Sequence, residues 1–124
     1  MNNLYDIMNL STGSGDIDVS RALELLSCNE VELTHVLGLP KLVGSKTLLV
    51  TQLKSLAVYQ HLLKIISVIN FVHDMGVTRR ESFEWFIAEK IPALGHITAK
   101  DAIIDGHFDA LIDYLQAFKL GGYA

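Results

Sequence analysis

From Leu33 to His73 the chain carries no acidic residue, and inside that span Thr47 to Val72 reads as a helix that is apolar on nearly every side. Leu49, Leu53, Leu56, Leu63 and Ile66 recur at spacings of three or four, with one gap at Gln60. Leu48, Leu62, Ile65, Ile69 and Val72 widen the stripe over much of the circumference. A helix with no polar face is central to a core or lies in a dimer interface, and the rest of the chain must pack around it. The stretch forms one long helix or two shorter ones. β-Branched residues gather between Ile65 and Val72, but they sit inside a helical period and do not make a strand. Gln52, Lys54, Gln60, His61, Lys64 and Asn70 break the stretch well short of the roughly 18 uninterrupted apolar residues of a membrane span.

At 124 residues the chain is expected to be one domain, or two small halves sharing a core. Surface scaling lets such a chain bury about two-thirds of its extended surface, enough for a fold without disulfides or metal. Half the residues are hydrophobic and the mean hydropathy is +0.33, more than a core of this size absorbs. The surplus predicts a protein–protein interface, as a homodimer or with an obligate partner. Cys28 is the single cysteine, and the Met1-Asn2-Asn3-Leu4-Tyr5-Asp6 start lacks the basic and apolar regions of a signal peptide, so a reducing cytoplasm is expected.

Charge is uneven along the chain. Residues 1–32 hold six acids and one base, residues 33–73 four lysines, and residues 74–124 eight acids and five bases, giving −5, +4 and −3. A basic middle between acidic ends suggests two different surfaces, or simply a buried helix with few acids.

Start and stop signals divide the chain into helices. Residues 1–17, through Ser11-Thr12-Gly13-Ser14-Gly15, read as a flexible N-terminus. A first helix follows over about Val19 to Leu26, with Ala22, Leu25 and Leu26 on one face. Asn29-x-x-Glu32 is a capping box opening a second, which stops at Gly38 with Pro40 beyond. Gly76 caps the long apolar stretch. Thr78-x-x-Glu81 and Thr98-x-x-Asp101 are two further boxes. The last helix, about His107 to Phe118, turns Phe108, Leu111, Ile112, Leu115 and Phe118 to the core. No strand alternation survives a count, so the fold class is all-α.

The order of signals from Phe83 to Leu115 resembles a known family. Trp85-Phe86 closes a helix, Pro92 opens a loop, and Ala93-Leu94-Gly95, Thr98, Asp101 and Ile103 follow in register. This resembles the toxin-binding domain of the Xre/MbcA/ParS antitoxins, where an Ala-Leu-Gly-Gly-basic-Thr-Pro-x-Asp-Leu-Leu box occupies this place. His96 stands for the second Gly, Ile97 for the basic residue and Ala99 for the Pro. Upstream, Asn29 to Leu39 is similar to the positioning helix and turn of Xre-type DNA-binding domains, which precede the toxin-binding domain in that family. The resemblance implies an N-terminal helix-turn-helix-like bundle over 18–54, packed on a C-terminal helical toxin-binding domain over 55–124. It also implies a cognate protein toxin as partner, such as a RES-type NAD-degrading or an ADP-ribosylating enzyme. Neutralisation would be steric, with Pro92, Leu94, Gly95, His96, Ile97, Thr98, Asp101 and Tyr123 meeting the toxin and the 121–124 tail reaching its active-site entrance.

Operator DNA is the second partner so implied. After the turn the chain offers Lys41, Ser45, Lys46, Thr47, Thr51 and Lys54 for phosphates and bases. Arginine, the commonest reader of guanine, is absent there, and Leu49-Val50 stands where related antitoxins show a basic pair.

The residues give no case for an enzyme, a cofactor or a metal. His35, His61, His73, His96 and His107 lack the paired spacings of zinc helices, and one cysteine makes no thiolate site. Asp105, Asp109 and Asp113, four apart, read as a solvated helix face rather than a catalytic pair. Trp85 reads as a core residue whose indole finds a carbonyl. His96 and Ile97 read as loop-exposed, and an exposed Ile suits an interface. The expectation is therefore a cytoplasmic, dimeric antitoxin without enzymatic activity. Its alternatives are a DNA-binding regulator with no toxin partner, or a module that uses its apolar surplus to assemble a complex.

Overall fold

The computed structural model describes residues 18–40 and 46–120. Helix α1 (Val19–Leu26) starts where the Asp18 carboxylate accepts the Arg21 N–H, and it buries Val19, Ala22, Leu25 and Leu26. It ends at Ser27, whose φ of 55° turns the chain sharply. Helix α2 (Glu30–Val36) opens with both arms of the expected capping box. Asn29 Oδ1 accepts the Glu32 N–H at 2.8 Å, and Glu32 Oε1 accepts the Asn29 N–H at 3.1 Å. Gly38, at φ +70°, then redirects the backbone through a conformation that costs an L-residue strain.

Helix α3 (Lys46–Gln52) follows only after residues 37–45. The apolar stretch is two helices rather than one, because the turn at Leu53–Ser55 separates α3 from α4 (Leu56–His73). Ser55 sits extended at the start of α4.

Helix α4 is the centre of the fold. Among the described residues it is the helix long and apolar enough, by length and composition, to cross a membrane. Here that composition serves packing, since α4 lies against α1 and against helices α5 (Arg79–Ala88), α6 (Ala99–Ile104) and α7 (Phe108–Lys119), and buries Tyr59, Leu62, Leu63, Ile65, Ile66, Val68, Ile69 and Val72. Helix α5 (Arg79–Ala88) buries Phe83 and Phe86 completely. Helix α6 (Ala99–Ile104) and helix α7 (Phe108–Lys119) close the far side. The buried residues form one cluster running from Val19 to Leu115.

The all-α reading stands, with one addition. Lys90–Ile91 (β1) and Ile97–Thr98 (β2) pair antiparallel, Lys90 opposite Thr98 and Ile91 opposite Ile97. Two residues a side are too few to show alternation in a sequence. The last helix also departs from its expected core face. Leu111 and Leu115 are buried and Phe108 and Ile112 partly so, but Phe118 is 48% exposed. It lines a cavity between α4, α5 and α7 together with Val72, Met75, Val77, Trp85, Tyr114 and Leu115.

Two adjacent arginines bind the N-terminal helices to the rest. Arg79 donates to Leu25 O at 3.0 Å and to Asn70 Oδ1 at 2.7 Å, joining α5 to α1 and α4. Arg80 holds the Glu32 carboxylate with two bonds of 2.9 Å and donates to Ser27 O at 3.0 Å. A bidentate guanidinium–carboxylate pair fixes geometry as well as charge. These bonds, with the shared core, tie residues 18–54 to residues 55–120.

Candidate functional site: the ribbon loop after α5

Helix α5 begins at Thr78, whose Oγ1 accepts the Glu81 N–H at 3.0 Å while Glu81 Oε1 accepts the Thr78 N–H at 3.0 Å. Those bonds hold the Glu81 carboxyl below the usual carboxylate range, the Thr78 N–H first among them. The helix stops at Glu89, which is extended and leads into β1. The two strands then hold a short loop between them. Pro92 opens a 3₁₀ turn over Pro92–Leu94, where its fixed φ suits the first position and its missing N–H costs nothing. Gly95 closes the turn at φ 87° with its N–H on Pro92 O at 3.1 Å. His96 follows at φ 63°, its N–H on Ile91 O at 3.0 Å.

Two consecutive left-handed residues turn the chain back so that Ile97 and Thr98 can pair with β1. The second is not a glycine, which is uncommon and carries strain. Thr98 is the N-cap of α6, its Oγ1 accepting the Asp101 N–H at 3.1 Å. Only that half of the expected capping box forms. The Asp101 carboxylate lies 3.3 Å from the Lys100 ammonium instead.

The candidate partner-binding residues therefore divide by role. Pro92, Gly95 and His96 are exposed on the loop, and Leu94 and Ile97 are half-buried at its base. Ile97 is thus less open than its place between a glycine and a cap suggests, because it pairs with Ile91. Thr98 is buried and committed to the cap, so it shapes the loop rather than presenting a surface. Asp101 stays half-exposed one turn into α6. Tyr123 lies outside the described residues. Of the candidate DNA contacts, Lys41 and Ser45 also lie outside them. Lys46, Thr47, Thr51 and Lys54 share the exposed side of α3 and the turn after it, while Leu49 and Leu53 are buried. The Thr51 hydroxyl is already engaged, donating to Thr47 O at 3.3 Å.

Other candidates settle into the framework. Cys28 is half-buried, and burial, aided by the nearby Glu32 carboxylate, pushes its thiol up to about 12, leaving it an unreactive packing group. Asp105 does not join Asp109 and Asp113 on one helix face: it caps the end of α6, and α7 begins after it. Trp85 is half-buried rather than core. Among the described residues no group of three His, Cys, Asp or Glu side chains is placed to hold a metal. His61 Nε2 is buried without a hydrogen-bond partner among the described residues, and burial, with Lys64 beside it, lowers the imidazole pKa. The Arg80–Glu32 clamp went unread in the sequence, since its members stand 48 residues apart and no local spacing connects them. No protein-family model matches this chain, and no curated protein or solved structure matches it either.

Proposed function

We propose that this protein is a partner-binding antitoxin that silences a cognate protein toxin by covering its active site, with the loop from Pro92 to Ile97 as the contact surface. The observation that carries the reading is that loop's construction. Its exposed residues are held by a two-stranded ribbon, a proline-opened 3₁₀ turn, two left-handed residues and a capped helix, so the surface is formed before any partner arrives. A preformed loop keeps more of its contact energy as affinity than one that must order on binding. The resemblance of this segment to the toxin-binding box of the Xre/MbcA/ParS antitoxins supports the choice of partner class.

The test is co-expression of the chain with the gene adjacent to it in its native locus, scored by growth and by co-purification. A neighbour that is toxic alone and harmless with this chain supports the reading. His96→Asp then probes the loop, because Asp tolerates the left-handed conformation and changes only the exposed group. It should weaken co-purification while the melting temperature holds. Full rescue by the variant would move the interface elsewhere.

A second reading, DNA binding by α3, has one observation in its favour: Lys46, Thr47 and Lys54 are exposed over a buried Leu49 and Leu53. A gel shift with DNA from the same locus at several salt concentrations tests it. Phosphate-dependent binding must weaken steeply as salt rises.

A further inference from the structure

Away from the loop, the end of α2 and helices α4 and α6 border a cavity of about 430 Å³ that the proposed function does not use. Leu37, Ile103 and Ile104 give it an apolar side, and Gln60, His61 and Lys64 of α4 give it a polar one. Ala57, Gln60, His61 and Lys64 recur at three and four residues, so one stripe of α4 lines the cavity. The helix is otherwise the centre of the core, and the gap that Gln60 leaves in its apolar period belongs to this stripe. The cavity lies where residues 18–54 meet residues 55–120, and junctions of that kind are preferred places for ligands.

The polar side is short of partners. His61 Nε2 is buried and makes no hydrogen bond among the described residues, and an atom left so costs free energy until something meets it. Among the described residues Lys64 belongs to no ion pair. Its ammonium lies 5.6 Å from the centroid of the Phe108 ring, which leaves its charge unneutralised and hydrogens free for a second partner. The acids of the bordering elements are placed elsewhere. Helix α4 contains none, Glu30 and Glu32 open α2 at the end away from Leu37, Asp101 lies beside Lys100, and Asp105 is exposed past the end of α6. Burial, with Lys64 beside it, lowers the His61 pKa, so at neutral pH Lys64 supplies the one full charge of the lining. A water would satisfy Nε2, yet it matches neither that charge nor the apolar side.

We propose that the cavity between α2, α4 and α6 binds a small aliphatic carboxylate. Its carboxylate accepts a hydrogen bond from His61 Nε2 and meets the Lys64 ammonium, while its hydrocarbon body lies against Leu37, Ile103 and Ile104. His61 donates from Nε2 in the tautomer that carries its proton there. Phosphate brings more charge than one lysine balances and would leave the apolar side bare. The cavity is separate from the Pro92–Ile97 loop, so the inference does not rest on the toxin reading.

The full chain is titrated with isovalerate while the imidazole resonances are followed by NMR, with His61→Gln to assign those of His61. The controls are isovaleramide, acetate, inorganic phosphate and N-acetyl-glutamate α-amide, which mimics a glutamate side chain of a partner protein. Isovalerate should shift the His61 ring saturably. Isovaleramide, which lacks the charge, and acetate, which lacks the hydrocarbon body, should each bind at least about tenfold more weakly. Lys64→Gln should weaken isovalerate binding about tenfold and Ile104→Ala roughly threefold. Both side chains are exposed, so these variants fold, and unchanged melting curves verify that; the ligand series itself needs no variant. No His61 response to isovalerate would overturn the inference, as would unchanged affinity in Lys64→Gln. Equal binding of isovaleramide would make the cavity merely apolar, and equal or tighter binding of acetate or phosphate would make it a general anion site. Tighter binding of the glutamate mimic would give it to a partner's side chain, and each of these results also refutes the assignment.

Discussion

His96 is the residue whose replacement tests the loop most directly. It holds φ 63° although it is not a glycine, and its side chain is exposed. The left-handed conformation costs an L-residue about 1–2 kcal/mol, which glycine does not incur. Glycine gives back about 0.4–1 kcal/mol through the greater freedom of the unfolded chain. His96→Gly should therefore stabilise the protein by about 0.5–1 kcal/mol, a rise of roughly 2–5 °C in melting temperature at this chain length. Gly95→Ala is the mirror experiment. A Cβ at Gly95, where φ is 87°, would meet no atom within 4 Å, so the cost is backbone strain alone, about 1 kcal/mol. Urea denaturation at constant m-value measures both. A destabilised His96→Gly would refute the argument, as would a Gly95→Ala that is neutral or that costs more than about 3 kcal/mol, which would mean a clash.

Other predictions follow from burial and charge. Phe83→Ala, at a fully buried site, should cost about 3–5 kcal/mol, whereas Phe118→Ala should cost about 1 kcal/mol or less; similar losses would contradict the assignment of core and rim. The folded state lowers the His61 pKa, so the unfolded chain binds the proton more readily. Stability from this group is complete above the ordinary value of 6.5 and declines as pH falls below it, and His61→Leu should flatten the slope of urea midpoints taken between about pH 8 and pH 5. The Arg80 bond holds the Glu32 carboxyl below its usual 4.5, so that contribution is present above 4.5 and lost as pH falls through the lowered value. A double-mutant cycle of Glu32→Gln and Arg80→Ala should show a favourable coupling that shrinks with added salt, since the pair is partly open to solvent; coupling indifferent to salt would show a more buried pair.

Signals that act within one helical turn were legible in the sequence. The bounds of α1, the Asn29 and Thr78 capping boxes and the stop at Gly38 depend on spacings of three or four, and all appear where those spacings put them. The apolar circumference of α4 likewise named the helix that four others would surround. What stayed hidden depends on distance along the chain or on what lies opposite a face. The Arg80–Glu32 clamp spans 48 residues, and periodicity does not show that Phe118 lines a cavity and stays half-exposed. Asp105 reads as part of a carboxylate row only until the turn before α7 is seen.

The loop also explains why its sequence pattern can carry information without touching a partner. Pro92 starts the turn, Gly95 and His96 supply two left-handed residues, and Thr98 caps α6, so four positions of the motif have backbone tasks. The pattern that this loop resembles has glycine at the second left-handed position, which avoids strain; the histidine here bears the cost. Strain of that kind persists where the surrounding structure holds it, and it gathers at functional sites. The antitoxin pattern that this loop resembles has a basic residue at the place of Ile97, where this chain carries no charge. Under the proposed function, the partner's complementary surface should then be apolar with a hydrogen-bonding group for the imidazole, not acidic. His96→Gly separates the two demands on this residue: a more stable protein that has lost its partner would show that the strain is kept for recognition, and a more stable protein that binds as before would show that it is not.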